Sequence, residues 1–336
     1  MKICVLGAGT WGMALSALLC NNGHEVSVWS ALPDEIAELK AKATHKNLPG
    51  VVFPEGIEYT TDISAAIKGK ETVLFVVPSS FIRSTAAKAA EYLEDGMILI
   101  NASKGIEPDS LMTMTEVISS EIKKIKPTLE YSIAALSGPT HAEEVARGLP
   151  TSIVSACEDE KISLKIAEVF ASSCLRVYTN TDVRGVEIAG ALKNIIALAA
   201  GINRGMGFGD NSGAMLMTRG ITEITRLGLA LGCNARTFAG LAGIGDLIVT
   251  CTSRHSRNNR CGELIGKGMK YEDAAKEIGM VVEGYYALEA AIQLSRKMNV
   301  EMPITEAVNN VIKNGVSCKD AMLSLMNRNI KSELYI

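Results

Sequence analysis

Three glycines near the N-terminus constrain the fold more than any other feature of this sequence. Gly7, Gly9 and Gly12 form a GxGxxG pattern, which follows an apolar segment, Ile3–Leu6, and opens a helical pattern at Trp11. In such a strand-turn-helix the first glycine permits a tight turn, the second lets the backbone approach a pyrophosphate, and the third lets helix and strand pack closely. The helix N-terminus then presents N–H groups to phosphates. The pattern therefore predicts a dinucleotide-binding βαβ unit.

The first half of the chain alternates apolar strand patterns with helical patterns, which predicts a parallel, doubly wound sheet. Most of these strands are continuously apolar, as strands covered on both faces are. The predicted strands are residues 3–6, 25–29, 72–77, 97–101, 132–136, 152–156 and 175–179. The predicted helices are residues 11–22, 63–68, 80–92, 110–125, 140–146 and 160–170.

After about residue 180 the strand patterns stop and only helical patterns follow. The predicted helices are residues 183–201, 214–231, 237–241, 271–278, 284–298, 304–312 and 318–326. A glycine-rich stretch, 201–209, and a polar segment, 251–260, are predicted as loops between them. We therefore expect a Rossmann-type α/β domain over residues 1–182 and an all-helical substrate domain over residues 183–336.

Charge and composition exclude several classes of function. The 336 residues carry 34 basic and 37 acidic side chains, a net charge of −3, which argues against a generally basic nucleic-acid binder. The eight cysteines have no CxxC spacing and the four histidines do not cluster with them, so we expect no metal site. Free thiols in a chain of this size indicate a reducing cytosol.

The apolar runs do not predict a membrane span. The longest candidate, Gly185–Ile202, carries Glu187 and Lys193, and no uncharged run reaches the roughly 18 residues that a span needs. The first twenty residues resemble a secretion signal, but a strand-turn-helix explains their glycines better. We expect a cytoplasmic protein, and the apolar helical half is compatible with a homodimer.

The end of the second predicted strand bears on the choice of nucleotide. NAD sites usually have Asp or Glu at this strand end, and NADP sites often have Arg. Here the strand ends in Trp29-Ser30-Ala31, and the nearest acidic residues, Asp34 and Glu35, are consistent with the start of a helix. The sequence therefore predicts a nicotinamide dinucleotide and leaves NAD versus NADP open.

Two turns after predicted strands carry candidate ligand-binding residues. Lys104 follows strand 97–101, at the sheet edge where ligands of open α/β sheets bind. Gly138 and Thr140 lie in a strand-to-helix turn, where their backbone N–H groups can face a ligand. A solvated loop lysine and an ordinary turn are the alternative interpretations.

Lys193 is the most informative single residue, because it interrupts an otherwise apolar helix. Such a lysine either extends its ammonium to water or is held at a site. Burial lowers the pKa of a lysine, which suits proton transfer near neutral pH. The adjacent Asn194 can hydrogen-bond a ligand.

A second polar constellation follows in the helical half. Asp246 is a lone acid between apolar residues, and Ser256-Arg257-Asn258 offers a hydroxyl, a guanidinium and an amide. Arginine binds phosphate through two parallel hydrogen bonds, so this segment is a candidate phosphate clamp. An exposed polar loop is the alternative.

In this order, the motifs resemble those of the bacterial NAD(P)-dependent glycerol-3-phosphate dehydrogenases. The matching segments are 7–12, 77–78, 103–105, 137–145, 192–194, 245–247, 256–258 and 281–284. The resemblance implies that reduced nicotinamide converts dihydroxyacetone phosphate into sn-glycerol 3-phosphate for glycerophospholipid synthesis. It also implies NAD(H) or NADP(H) as cofactor.

The resemblance also assigns roles to residues. Lys193 would protonate the carbonyl oxygen, Lys104 would be a second cation near it, and Asp246 would hold Lys193 or a substrate hydroxyl. The other implied substrate-binding residues are Gly138, Thr140, Asn194, Ser256, Arg257 and Asn258. The implied cofactor-binding residues are Gly7, Gly9, Thr10, Trp11, Gly12, Lys104, Ala142, Arg257, Val281 and Glu283.

One departure concerns the 2′ position of the cofactor. Members of the family often carry a basic residue shortly after the Trp of the second strand, whereas Ser30 and Ala31 stand here. This leaves the cofactor choice open, with a slight preference for NAD(H). The alternatives are another ketoacid reductase, which would not need the Ser-Arg-Asn clamp, and a nucleotide sensor, which would not need Lys193, Lys104 or Asp246.

Overall fold

The computed structural model describes residues 1–333. Within them eight strands form a single sheet in the order β3-β2-β1-β4-β5-β6-β7-β8. The strands are β1 (Lys2–Leu6), β2 (Glu25–Trp29), β3 (Glu58–Thr60), β4 (Thr72–Phe75), β5 (Ile98–Asn101), β6 (Ser132–Ser137), β7 (Thr151–Ala156) and β8 (Leu175–Asn180). The order of the first six is that of a dinucleotide-binding doubly wound sheet, so the predicted fold class is confirmed.

The helices of this first part flank the sheet, and apolar clusters cover both of its faces. They are α1 (Thr10–Asn21), α2 (Pro33–Lys42), α3 (Ile63–Ile67), α4 (Ile82–Ala90), α5 (Met114–Ile125), α6 (Ala142–Val145) and α7 (Glu160–Phe170). A capping box between Thr113 and Glu116 starts α5 at Met114, four residues after the predicted start.

The last two strands depart from the parallel arrangement that the alternating patterns predicted. Strands β1 to β6 are parallel, whereas β7 runs antiparallel to β6 and β8 runs parallel to β7. The segment between β6 and β7 contains only α6, four residues long. A helix of that length rises about 6 Å, too little to carry the chain back along the sheet.

Two elements of this part, β3 and α2, were not predicted from the sequence. Strand β3 has three residues, none of them buried. Helix α2 buries only Ile36 and Leu39. Helix α2 is favoured instead by Pro33 in its first turn, by two acidic residues at its start and by two lysines at its end. An apolar periodicity is too weak in either segment to be detected.

The chain forms two compact units. One comprises Met1–Lys104 and Met112–Val183, and the other comprises Gly105–Leu111 and the chain from Arg184 onward. The short segment Gly105–Leu111 thus groups with the helical unit, although it lies between strands of the sheet in sequence. Ile106 is one of the residues in the core of that unit.

The second unit is helical throughout its described residues. Its helices are α8 (Val183–Gly205), α9 (Asp210–Ala230), α10 (Ala235–Phe238), α11 (Asp246–Thr252), α12 (Arg257–Gly266), α13 (Tyr271–Ile278), α14 (Glu283–Met298), α15 (Pro303–Lys313) and α16 (Cys318–Met326). Helix α8 is buried from Gly185 to Ile202 and forms the centre of the core. It alone among residues 1–333 is long and apolar enough to cross a bilayer, but its most apolar window is entirely buried inside the protein.

The two predicted loops of this unit are largely helical. Glycines account for the first, because α8 continues to Gly205 and packs against α12 at very short range. A Cβ on Gly201 would lie 2.0 Å from the carbonyl oxygen of Asn259, and one on Gly262 would lie 2.2 Å from that of Leu198. Only glycine lets these two backbones approach so closely. The polar segment 251–260 contains the end of α11 and the start of α12, which Ser256 caps by accepting from the N–H of Asn259.

Glu223 is a buried carboxyl that holds α15 in place. Its oxygens accept from the backbone N–H groups of Ile304 (2.6 Å) and Thr305 (3.2 Å), and from the Thr305 hydroxyl (3.3 Å). Both N–H groups lie in the first turn of α15, where a helix offers no partner of its own. Burial raises the pKa of Glu223 to about 7.

This pKa shift predicts a pH-dependent cost in stability. Between its usual pKa of 4.5 and about 7, the unfolded chain loses the Glu223 proton while the folded chain keeps it. The folded state then binds more protons, so the free energy of unfolding falls as the pH rises through this window. Over the full shift, the free energy of unfolding falls by about 3 kcal/mol, at ~1.4 kcal/mol per pKa unit. Urea unfolding should therefore show Glu223→Gln gaining stability relative to wild type as the pH rises, and a constant difference would contradict this.

Candidate active site

The glycine loop after β1 has the shape that a dinucleotide phosphate requires. Gly7 has a φ of +129°, and a Cβ there would lie 2.8 Å from the carbonyl of Val76. A Cβ on Gly12 would lie 1.9 Å from the carbonyl oxygen of Gly7, so helix and loop touch at this point. A Cβ on Gly9 would meet nothing within 4 Å, and no side chain caps the start of α1. The loop is thus rigid where it packs and open where a phosphate would approach.

Two residues predicted to contact the cofactor begin α1 directly after this loop. Thr10 and Trp11 are half-buried, and the Thr10 hydroxyl lies 3.4 Å from the amide nitrogen of Asn47. The residues of this loop therefore fit a dinucleotide, held through backbone N–H groups at a helix N-terminus.

A carboxylate from helix α2 lies at the end of β2, where the strand itself has no acidic residue. Glu35, in the first turn of α2, turns back towards the strand, and its Oε2 accepts from the Ser30 hydroxyl at 2.6 Å. The same hydroxyl accepts from the N–H of Leu32 at 3.2 Å. The sequence interpretation of Glu35 as only a helix start was therefore incomplete.

Lys104, Gly138 and Thr140 come together at the carboxyl ends of β5 and β6. The Nζ of Lys104 donates to the carbonyl oxygen of Gly138 at 3.2 Å, and the Thr140 hydroxyl donates to the same oxygen at 3.1 Å. The turn that carries Lys104 is fixed by Ser103, whose hydroxyl donates to the carbonyl oxygen of Val77 at 2.5 Å. This edge of the parallel strands is where ligands of such sheets bind. Ala142, the remaining predicted residue here, is half-buried at the start of α6.

In the helical unit, Lys193 is held inside the protein and does not extend to water. Its side chain is 7% exposed, and its Nζ lies 2.5 Å from Oδ1 of Asp246, which is 1% exposed. The Nζ also donates to the Thr250 hydroxyl at 2.6 Å. That hydroxyl donates in turn to the backbone carbonyl oxygen of Asp246, so all three groups are fixed. A buried ion pair with hydrogen-bonding support gives a positioned cation in a region of low dielectric.

An irregular turn aims Asp246 at Lys193. A π-helical turn, Leu241–Gly245, directly precedes Asp246, the first residue of α11. Such turns are rare and frequently occur at functional sites. A Cβ on Gly243 would lie 2.0 Å from the carbonyl oxygen of Phe238, so this turn also needs a glycine.

Cys251 lies near the same ion pair but cannot act as a base there. It is buried, and burial raises the pKa of its thiol to about 12. The thiol therefore stays protonated at neutral pH.

Asn194 and Asn258, which directly follow Lys193 and Arg257 in sequence, are joined by a side-chain hydrogen bond. The amide of Asn258 donates to Oδ1 of Asn194 at 3.0 Å and accepts from the N–H of Gly284 at 2.9 Å. This pair ties α8, α12 and α14 together. The side chain of Asn258 is thus engaged by protein, and the group it can offer a ligand is its backbone N–H in the first turn of α12.

The predicted phosphate clamp forms the start of α12. Ser256 is the N-cap, and Arg257 is the first helical residue. The guanidinium of Arg257 is half-buried and donates to the carbonyl oxygen of Val281 at 3.0 Å. Glu283, two residues later, begins α14. A guanidinium beside a helix N-terminus is an arrangement suited to a phosphate.

Thr250 is the site residue that the sequence interpretation missed. It lies one turn after Asp246 on α11, at i+4, which places both side chains on one face. This spacing could have identified it, had residues 246–252 been predicted as a helix.

Models of a single family match almost the whole chain. Residues 2–163 match the N-terminal part of the NAD-dependent glycerol-3-phosphate dehydrogenases, and residues 182–323 match their C-terminal part. A glycerol-3-phosphate dehydrogenase (NAD(P)+) 2 of Lactobacillus delbrueckii is 54% identical over 333 residues, 99% of each chain. The glycerol-3-phosphate dehydrogenase (NAD(P)+) of Bacillus subtilis is 46% identical over 334 residues, 99% of this chain and 96% of its own.

Solved structures agree with this assignment. The crystal structure of glycerol-3-phosphate dehydrogenase from Coxiella burnetii superposes with a TM-score of 0.92 at 34% identity, covering 97% of this chain and 99% of its own. A ketopantoate reductase from Ralstonia eutropha shares the fold at a TM-score of 0.62 and 18% identity, covering 96% of this chain and all of its own. Family models over both halves and relatives of about half identity leave one conclusion: this chain belongs to the NAD(P)-dependent glycerol-3-phosphate dehydrogenases.

Proposed function

We propose that this protein interconverts dihydroxyacetone phosphate and sn-glycerol 3-phosphate with NAD(H) or NADP(H). One observation carries the proposal: the hydrogen bond between the side-chain amides of Asn194 and Asn258. It joins the residue after the buried cation Lys193 to the residue after Arg257. A proton donor and a phosphate clamp are thereby tied together, as a small phosphorylated ketone requires.

Lys193 is the general acid in this proposal. When bound at the glycine loop, reduced nicotinamide would supply a hydride to the carbonyl carbon of the substrate and would itself be oxidised to the nicotinamide cation. As the C–H bond forms, the C=O π electrons move to oxygen, and Lys193 donates the proton that makes the new hydroxyl. Its positive charge also stabilises the developing negative charge in a region of low dielectric. In the reverse direction, neutral Lys193 accepts the hydroxyl proton.

Asp246 and Thr250 position Lys193. They hold its Nζ at 2.5 and 2.6 Å, so little reorganisation of the ammonium is needed during the reaction. Asp246 also places a negative charge directly beside the buried ammonium of Lys193.

Binding of the phosphate is assigned to Ser256, Arg257 and the N–H groups at the start of α12. This interaction is remote from the carbonyl carbon and fixes the orientation of the substrate, which lowers the entropy cost of the chemical step. Lys104, Gly138 and Thr140 are proposed as further substrate contacts. Thr10, Trp11, Ala142, Val281 and Glu283 are proposed to contact the cofactor with the glycine loop, and Lys104 and Arg257 to contact both ligands.

A ketoacid reductase is the second candidate, because such enzymes share the fold. The substrate phosphate separates the two functions. We expect kcat/KM for dihydroxyacetone phosphate to exceed that for dihydroxyacetone by about a hundredfold or more, since the missing phosphate removes several charged hydrogen bonds, each of which contributes about 1.5–3 kcal/mol. Rates measured with both compounds and with ketopantoate test this. A higher kcat/KM for ketopantoate would favour the second candidate.

The wider setting is proposed on more general grounds. The product would enter glycerophospholipid synthesis, as the resemblance implies. All eight cysteines are free thiols, which supports the reducing cytoplasm as the location. Several large apolar side chains of the helical unit are exposed, including Met326 (60%) and Met215 (45%), which supports a homodimer.

A further inference from the structure

The carboxyl end of β2 is a fixed point in the first unit. In a doubly wound sheet with a glycine loop after β1, the adenosine ribose binds at this strand end. Ser30, the first residue beyond β2, is buried, and its N–H donates at 3.2 Å to the carbonyl oxygen of Thr60, the last residue of β3. The backbone of Ser30 is therefore held by the sheet.

The Glu35 carboxylate is held at that point by two linked hydrogen bonds. Oε2 of Glu35 accepts from Ser30 at 2.6 Å, and the N–H of Leu32 donates to the Ser30 hydroxyl at 3.2 Å. The Glu35 side chain is half-buried at the surface of this unit. It has no ion-pair partner among residues 1–333, so its negative charge is not compensated locally.

The other charged and titratable groups near this point are Glu38, Lys42, His45 and Lys46. Glu38, one turn further along α2, is bonded to Lys42 at 3.0 Å. His45 is buried, and burial lowers its pKa below the usual 6.5, so it is neutral near pH 7.5. Lys46 is exposed. The strand end therefore presents a carboxylate where an arginine would be needed to bind a 2′-phosphate.

We propose that Ser30 and Glu35 make this enzyme select NAD(H), with its free 2′-hydroxyl, over NADP(H). The proposal rests on the proposed function, in that it takes the nucleotide to bind at the glycine loop. A carboxylate accepts hydrogen bonds from ribose hydroxyls but repels a phosphate, and it has no proton to donate to one. The selectivity thus comes from a helix residue that turns back to the strand end, not from a residue of the strand itself.

The test measures nucleotide binding without any substrate or turnover. Calorimetric titration of the full-length protein with ADP-ribose and with 2′-phospho-ADP-ribose gives the affinity ratio directly. We expect ADP-ribose to bind at least about tenfold more tightly, and Glu35→Gln to narrow this ratio at least fivefold by strengthening binding of the phosphorylated ligand. Glu38→Gln is the matched control, because it removes the same charge from the same helix and should leave the ratio nearly unchanged.

A second variant adds an attraction instead of removing a repulsion. Ala31 is exposed next to Ser30, so Ala31→Arg should raise the affinity for 2′-phospho-ADP-ribose without disturbing the fold. Equal affinities in the wild type, an unchanged ratio in Glu35→Gln, or an equal shift in Glu38→Gln would each overturn the proposal. None of these outcomes alters the expected reduction of dihydroxyacetone phosphate, which is judged by turnover and the identity of the product.

Discussion

Replacing Lys193 with Met should lower kcat by about a thousandfold while leaving the affinity for reduced nicotinamide nearly unchanged. General acid catalysis typically contributes 10²–10⁴-fold, and this variant also removes the positive charge beside the carbonyl oxygen. Stopped-flow or steady-state oxidation of the cofactor gives kcat, and fluorescence titration of the bound cofactor gives its affinity. A large loss of kcat with an unchanged cofactor affinity distinguishes a catalytic role from a purely structural one.

The single substitution has a structural cost that needs its own control. Without Lys193, Asp246 is a buried charge lacking its partner, and breaking such a pair typically costs about 3–5 kcal/mol. The double variant Lys193→Met, Asp246→Asn removes both charges and should recover most of this loss in the free energy of unfolding. We expect it to remain as inactive as the single variant. Activity within tenfold of wild type in the folded double variant would remove Lys193 from the mechanism.

Replacing Arg257 with Ala should raise the KM for dihydroxyacetone phosphate by about tenfold to a hundredfold, as expected for the loss of about 1.5–3 kcal/mol from a charged hydrogen bond. The activity on dihydroxyacetone, which has no phosphate, should change little. This second readout matters because Arg257 also donates to the carbonyl oxygen of Val281, so its loss could loosen the start of α14. Initial rates over a range of both substrates give the comparison.

Arg260 offers a matched control for this variant. It is an exposed arginine three residues further along α12, and Arg260→Ala should leave the KM within about twofold of wild type, as is usual for an exposed surface position. If Arg257→Ala also stays within twofold, the phosphate is bound elsewhere. If both variants raise the KM equally, the effect is one of general positive charge and not of a clamp.

Much of the sheet could be predicted because its strands are buried on both faces. Ile3 to Leu6 are all fully buried, and a continuous apolar run of this kind can hardly be anything else when a glycine turn follows. Strand β3 and helix α2 could not be predicted, because they bury few side chains. The direction of β7 depends on the short connection α6, which carries no apolar pattern.

In the helical unit, the sequence patterns failed where helices pack through glycine. Gly201, Gly205, Gly262 and Gly266 normally indicate loops, but here they let α8 and α12 touch backbone to backbone. This contact also brings the segment after Arg257 to the segment after Lys193. The separate candidates Lys193, Asp246 and Arg257 were identified from the sequence, whereas their arrangement and the part of Thr250 depend on packing that no local pattern encodes.

The carboxylate at the end of β2 is a further feature that the sequence patterns did not predict. The sequence places Glu35 five residues beyond Ser30, which is too far for a strand-end residue. The first turn of α2 folds it back to the strand, and a single hydrogen bond to Ser30 fixes it there. A spacing rule written for strand residues overlooks an acidic group that arrives from a helix.

The most direct test of the whole account is to mix the purified protein with dihydroxyacetone phosphate and reduced nicotinamide and to identify the product. The expected result is rapid loss of the reduced-nicotinamide absorbance with NADH, a slower rate with NADPH, and one sn-glycerol 3-phosphate formed for each cofactor oxidised. Tight binding of NADH without any oxidation would contradict it, because the glycine loop would then serve a chemistry other than reduction of this phosphorylated ketone.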